Sequence, residues 1–216
     1  MLSLNCLGDG GVRRILFVGA HADDIEIGCG GTVATLLEQW PQAHVSWVVL
    51  SANDERTGEA EKSASELLKH AASREIHVAH FRESFFPYHG AEIKDYFNTV
   101  VRDQQPDIVF THFGGDRHQD HKLLWELTWN TFRNHLVFEY EIVKFEGDLA
   151  SPNLFVPLTS EQVALKCAHI WRQFVSQRDK PWFSDDTFRA IARIRGVECN
   201  AEYGFAEAFH CRKLVF

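Results

Sequence analysis

No two of the five cysteines, Cys6, Cys29, Cys167, Cys199 and Cys211, form a CxxC pair, and their number is odd. That argues against a disulfide framework and against a thiolate zinc site, so reduced and mostly buried thiols are expected. Basic excess is missing too. Lys+Arg number 22 against 30 Asp+Glu, a formal net charge of -8. A nucleic-acid binder or a protein seated on an anionic membrane needs a basic face, so neither is expected. No apolar run approaches membrane-spanning length, and Met1 to Arg14 lacks the apolar centre of a secretion signal. A cytoplasmic location is expected. Repeats, low-complexity tracts and a convincing linker are absent as well.

What remains is ordinary globular material: 216 residues, 45% hydrophobic and 24% charged. A chain of this size buries a full core without disulfides, and one domain over 1–216 is expected. Ile15 to Ala20 reads as a buried strand, followed by a helix opened by Gly28 to Gly31 and running to about Trp40. Val45 to Leu50 is a second strand. Beyond a polar loop from Ser51 to Gly58, Ala60, Ala64, Leu67, Leu68 and Ala71 fall at helical spacing. Ile76 to Phe81 is a weaker strand, Ile93 to Val101 a helix, Ile108 to Thr111 a strand and Asp120 to Arg133 a helix. Such alternation favours a mostly parallel, Rossmann-like α/β sheet with helices on both faces. Past Leu136 the pattern is irregular. A strand over Leu136 to Val143, helices over Ser160 to Val175 and Ser184 to Ile194, and a late strand over Ala208 to Phe216 are expected. Pro152 to Pro157 reads as a loop that marks a small subdomain.

Two polar clusters follow apolar strands. Gly19-Ala20-His21-Ala22-Asp23-Asp24 ends the first strand, and His118-Gln119-Asp120-His121 comes after the fourth. Ligands in open α/β sheets sit outside the carboxyl ends of the strands, so the clusters can meet on one rim. Together they hold the parts of a mononuclear metal site that activates water. One His and one Asp of the first cluster join one His of the second, leaving an Asp as base and a His as acid. With an extended backbone, one of Asp23 and Asp24 ligates while the other faces the water. His118 and His121 share a helix face, so one can bind metal while the other points at a substrate carbonyl. Asp120 can orient a histidine through its ring N–H. The competing reading is an Asx turn before the first helix and an acidic first turn in the later one. Two His and one Asp also match the ligand set of non-haem iron oxygenases, but the additional carboxylate and histidine speak for hydrolysis.

The segment from Gly19 to Thr32, GAHADDIEIGCGGT, resembles the signature of the PIG-L/LmbE-like deacetylases, in which AHPDD precedes a Gly-Gly helix start. His118 to His121 resembles their HxDH signature. The Arg56-to-Glu59 spacing, Ser176-Gln177 and the run Tyr203 to Phe209, YGFAEAF, also fit. The resemblance implies a Rossmann-like metalloenzyme that removes acetyl groups from N-acetylated amino sugars or their conjugates. It implies zinc on His21, Asp24 and His121, with Fe2+ or another divalent metal as the variation. Asp23 becomes the general base, His118 the group that stabilises the oxyanion, and Asp120 a supporting carboxylate. Ala22 stands where the family usually has proline, which frees a backbone angle but removes no chemistry.

Arg56, on the same rim, is a candidate to bind a sugar hydroxyl or a phosphate. Phe85-Phe86-Pro87-Tyr88-His89 is a candidate wall of a sugar site, with plain core packing expected for at least one of its aromatics. Gly28-Cys29-Gly30-Gly31 lacks both GxGxxG and a P-loop lysine, so no nucleotide cofactor is expected there. His44, His70 and His169 read as ordinary. The expected partner is a small N-acetyl sugar or conjugate, and self-association into a homo-oligomer stays open. The alternatives are a metal-dependent hydrolase of a non-sugar amide and a catalytically silent sugar-binding protein.

Overall fold

The computed structural model describes residues 11–215. The reading of the first ten residues, including Cys6, and of Phe216 lies outside them. Strands β1 (Arg14–His21), β2 (His44–Ser51), β3 (Ser73–Val78), β4 (Ile108–His112), β5 (Leu136–Tyr140), β6 (Leu154–Leu158) and β7 (Phe205–Cys211) form one sheet. Its order is β3-β2-β1-β4-β5-β7-β6. The first five strands pair in parallel, and β7 joins β5 and β6 antiparallel. The helices are α1 (Asp24–Gln39), α2 (Asp54–Leu67), α3 (Gly90–Tyr96), α4 (Gln119–Thr131), α5 (Ser160–Gln173) and α6 (Asp185–Glu198). Among the described residues no helix is long and apolar enough to cross a membrane.

Alternation along β1 divides the core. Ile15 and Phe17 pack with α1, α2, α5 and α6 residues such as Val33, Ala64, Ile170 and Ala192. Leu16, Val18 and Ala20 face the other way, onto Ile93 of α3 and Leu124 of α4. A strand buried on both faces reads as a continuous apolar run, as β1 does. β1 leads through α1 to β2 on one side and has β4 on the other. The chain's order therefore reverses between β1 and β4, the place where ligand crevices form in such sheets.

Several expected boundaries move. α1 starts at Asp24, a turn earlier than the glycines, and α2 starts at Asp54 within the expected loop. The Asn53 side chain accepts from Arg56 N at 2.9 Å and caps α2, a polar-rich start that periodicity alone does not show. β3 ends at Val78, and only an isolated bridge between Ser51 and His80 continues it. The helix expected over Ile93 to Val101 changes pitch, passing from α3 into a π turn at Phe97–Val101. The stretch read as a loop, Pro152 to Pro157, contains most of β6, so it builds the sheet edge and marks no subdomain. The late strand lies earlier, at Phe205–Cys211. Cys29, Cys167 and Cys199 are buried free thiols, as expected.

The glycines of α1 serve close packing. A Cβ on Gly28 would lie 2.4 Å from Tyr140 Cδ2, and one on Gly31 would lie 2.5 Å from Leu158 Cδ1. Their absence lets α1 lie against β5 and β6. Glu207 of β7 then accepts from Gly31 N at 2.9 Å and from Thr32 N at 2.6 Å. Lys166 of α5 pairs with the same carboxylate at 2.6 Å and donates to Ile27 O at 2.7 Å. Gly58, on the exposed side of α2, has nothing near its missing Cβ. Two substitutions should therefore differ in sign. Gly28→Ala should lose about 1–3 kcal/mol by overpacking against buried Tyr140. Gly58→Ala should gain about 0.4–1 kcal/mol by stiffening the unfolded chain. Urea denaturation measures both, and equal effects would contradict this packing.

Candidate metal centre and its cleft

The turn from β1 into α1 brings the first cluster together. Asp23 is the helix cap, with φ -111° and ψ -9°, and Asp24 is the first helical residue. The backbone is thus not extended between them, so the condition under which the two carboxylates would be forced apart does not hold. The Asp24 carboxylate turns back and accepts from His21 N at 2.7 Å. Asp23 makes no side-chain cap hydrogen bond, and the Asp24 bond runs back to His21, so neither carboxylate forms the Asx turn or side-chain cap of the competing reading.

α4 supplies the second cluster across the β1–β4 boundary. Its cap, His118, accepts from Asp120 N at Nδ1, 3.3 Å away. In the neutral ring that leaves the N–H on Nε2. Two carboxylates fix the other histidines. His21 Nε2 lies 3.1 Å from Asp120 Oδ2, and His121 Nδ1 lies 2.8 Å from Asp116 Oδ2. With these nitrogens donating, His21 Nδ1 and His121 Nε2 are left as lone-pair donors. They face each other at 3.1 Å and lie 3.3 Å and 3.5 Å from Asp24 Oδ2. For metal–donor bonds of ~2.0–2.1 Å in a tetrahedral site, neighbouring donors stand ~3.3–3.4 Å apart. The three atoms fit that spacing, and the donor set suits zinc or another divalent ion.

The charges point the same way. Burial disfavours a proton on His21, but Asp24 and the hydrogen bond to Asp120 outweigh it and raise its pKa to about 10. Burial and then His112 push His121 down to about 3, against Asp24 and Asp116. Burial opposes ionisation of Asp24, yet His121, His112 and His21 hold its carboxyl well below the usual range. Positive charge is therefore favoured among these three donors, and a proton on His21 Nδ1 supplies it.

Asp120 does contact a histidine ring, and that ring belongs to His21. Its carboxylate also accepts from Ser84 N at 2.6 Å and Phe86 N at 3.1 Å, which ties the loop after β3 to the site. His118 stays close to the candidate donors, with its ring centroid 4.9 Å from that of His21 and 4.6 Å from that of His121. Burial and then the His21 charge lower its pKa, more than its carboxylate neighbours raise it. Arg56 sits on the rim, but its guanidinium is engaged, 2.9 Å from Asp23 and 3.0 Å from Glu83. Burial raises the Asp23 pKa against the opposing pull of Arg56, and the charge of Asp24 raises it further.

Three participants were not expected. His112, at the end of β4, is fully buried and stacks on His121 with centroids 3.8 Å apart. Its Nε2 lies 3.3 Å from Asp24 Oδ2, and Asp24, His112 and His121 form a second donor cluster beside that of His21, His118 and His121. Asp116 and its partner Lys144, 2.9 Å away, complete the support of His121. Asp116 had a signal, since it stands two residues before His118. His112 hid in an apolar strand, and Lys144 followed β5 without a motif. None of these aromatics lines the cleft: Phe86 is fully buried in the core, the role expected for at least one of them, and Tyr88 is 76% exposed. A cleft of about 180 Å³ is lined by His21, Asp23, Asp24, His118 and His121 together with Phe145, Lys180 and Trp182.

Residues 16–132 match the model of the family described as GlcNAc-PI de-N-acetylase, PIG-L. The Escherichia coli protein described as uncharacterized deacetylase YaiS is 28% identical over 123 residues, 53% of this chain and 65% of that protein. The match therefore spans somewhat less than two thirds of that relative's length. N,N'-diacetylchitobiose deacetylase from Pyrococcus horikoshii has the same fold, with a TM-score of 0.72 and 20% identity over 92% of this chain and 83% of its own. So does GalB, the 4-carboxy-2-hydroxymuconate hydratase of Pseudomonas putida, at a TM-score of 0.66 and 17% identity over 94% and 98%. The fold thus hosts more than one reaction, and chemistry is set by the site and not by the fold.

Metal binding should displace the proton on His21. Titration of the metal-free protein with Zn2+ near neutral pH, in buffers of different ionisation heat, should show release of about one proton per ion. Asp116→Ala should weaken that binding ~10–100-fold by freeing the His121 ring. Unchanged affinity in Asp116→Ala would remove Asp116 from this role.

Proposed function

The chain belongs to the PIG-L, GlcNAc-PI de-N-acetylase, family, and we propose that it is a metal-dependent hydrolase that removes the acetyl group from an N-acetylated amino sugar or sugar conjugate. The observation that carries this reading is the trio of His21 Nδ1, His121 Nε2 and Asp24 Oδ2, spaced by 3.1–3.5 Å and backed by Asp120 and Asp116. We assign these three as ligands of one divalent ion, zinc foremost, and take 1–216 as one deacetylase domain. When bound there, such an ion lowers the pKa of water to roughly 7 and polarises an amide carbonyl.

The chain's own residues supply the rest. Asp23 takes a proton from the attacking water. Burial makes it a stronger base than an exposed aspartate, and Arg56 at 2.9 Å holds its carboxylate in place. The water oxygen adds to the acetyl carbon, and His118 donates its Nε2–H to the carbonyl oxygen as negative charge develops. A neutral imidazole suffices for this, in keeping with the lowered pKa of His118. The C–N bond then breaks, Asp23 returns its proton to the departing amine, and acetate is released.

Acetate release by the metal-loaded protein, screened over N-acetylhexosamine derivatives, tests the reading. Asp23→Asn should keep its metal and lose ~10²–10⁴-fold in kcat. Near-normal turnover in a metal-loaded Asp23→Asn protein would contradict the base assignment. His118→Ala should also keep its metal and lose ~10²–10³-fold, mostly in kcat, because the donor acts on developing charge. Loss of metal from His118→Ala would instead make His118 a ligand, through its cluster with His21 and His121.

A further inference from the structure

Apart from the metal centre, the sheet buries a carboxylate on β5, Glu139, with no exposed surface. Burying that charge is costly unless polar partners surround it. Three N–H donors and a guanidinium do, and they come from three parts of the chain. Oε2 accepts from Gly114 N at 3.0 Å, just past β4. Oε1 accepts from the indole N–H of Trp125 at 2.9 Å and from that of Trp129 at 2.7 Å, both on α4. Arg212, just past β7, completes the set with its Nε 2.8 Å from Oε1 and its guanidinium 4.8 Å from the Trp125 ring centroid. One oxygen therefore grips the turn between β4 and α4, and the other grips α4 itself.

Both grips bear on the same contact. The turn is Phe113-Gly114-Gly115-Asp116, in which Phe113 N donates to Tyr140 O and Asp116 N donates to Phe113 O, each at 3.0 Å. Trp125 packs so closely on it that a Cβ on Gly114 would lie 2.4 Å from the Trp125 Cε2. Asp116, two residues past Gly114, accepts from His121 Nδ1 at 2.8 Å. Trp125 and Trp129 follow His121 by one and two turns of α4. Glu139 thus sets the turn that carries Asp116 against the helix that carries His121. A carboxylate is needed for this, because both of its oxygens accept. Glutamine has one oxygen and would turn its NH2 toward either the Gly114 N–H or the indoles.

We propose that Glu139 is a positioning residue, which holds Asp116 on the His121 ring and so aims the free His121 nitrogen at the ion. It touches neither metal nor substrate and acts through Asp116. The proposal rests on the reading of His121 as a metal ligand and extends the support of that ligand to a second carboxylate behind the first.

The test uses the full chain and two readouts. In the metal-free protein, magnetic resonance with isotope-labelled histidine follows how fast the His121 ring N–H exchanges with solvent. Calorimetry with Zn2+ follows affinity. Glu139→Gln should speed the exchange and weaken zinc binding about 10-fold, the low end for loss of a group that supports a ligand. In an Asp116→Ala background the same change should alter affinity by less than about 2-fold, because the contact that it sets is already gone. Trp129→Phe removes one donor far from the ion and should act in the same direction by less; it decides the matter where Glu139→Gln does not fold. Urea denaturation identifies a merely structural role. Lowered stability with unchanged exchange and unchanged zinc affinity overturns the proposal, and so does an equal loss of affinity with and without Asp116. Both of those results leave the deacetylase reading intact. Both readouts as expected, with no acetate released by the zinc-loaded chain, would support the role of Glu139 and overturn the deacetylase reading alone.

Discussion

The close approach of α1 to the sheet is the constraint from which the site follows. Two carboxylates must stand at the end of β1 while α4 comes in from the far side of β4. Gly28 and Gly31 permit the approach, because side chains there would occupy the space of Tyr140 and Leu158. The Glu207 carboxylate then fastens the helix by two backbone N–H groups, with Lys166 balancing its charge. A buried pair of this kind is worth little as bare attraction, since desolvation offsets it. Its use here is directional. It fixes the helix along its length, and so fixes where Asp23 and Asp24 stand.

Around the donors, each imidazole has a carboxylate behind it and a carboxylate in front. Asp120 and Asp116 set the tautomers of His21 and His121 from behind, and Asp24 gathers their free nitrogens. The supporting carboxylates are themselves anchored. Asp120 accepts two backbone N–H groups, Asp116 accepts His118 N at 2.8 Å, and Lys144 balances Asp116. Such support holds the donors in place without cost at the moment of binding. Three neighbouring negative groups would repel one another in this buried space. Two histidines and Lys144 offset that repulsion.

Most of the fold was legible where burial produces a plain pattern. β1, β2 and β4 are buried on both faces and show as apolar runs, and α5 and α6 show their helical stripes. Legibility failed where the helix code is polar or interrupted. α1 begins with Asp24 behind its cap Asp23 and carries three glycines, so its first turn resembled a loop. α2 begins in charged residues capped by Asn53. β6 and β7 form an antiparallel edge with Pro157 inside β6, and short, partly exposed strands leave little periodicity.

By itself, the sequence determined the inventory: two clusters of histidine and aspartate after buried strands, and the alternation that makes a parallel sheet. Those are local properties, fixed by residue order and by the two-fold and 3.6-fold periods of strand and helix. Only the tertiary structure decided the partnerships. It gave Asp120 to His21 and Asp116 to His121, spent Arg56 on Asp23, buried Phe86, and brought His112 beneath the site. Each of these joins groups from different elements, and distance along the chain carries no information about such contacts. The imidazoles of His21 and His121 meet at 3.1 Å across 100 positions because β1 and β4 are neighbours in the sheet.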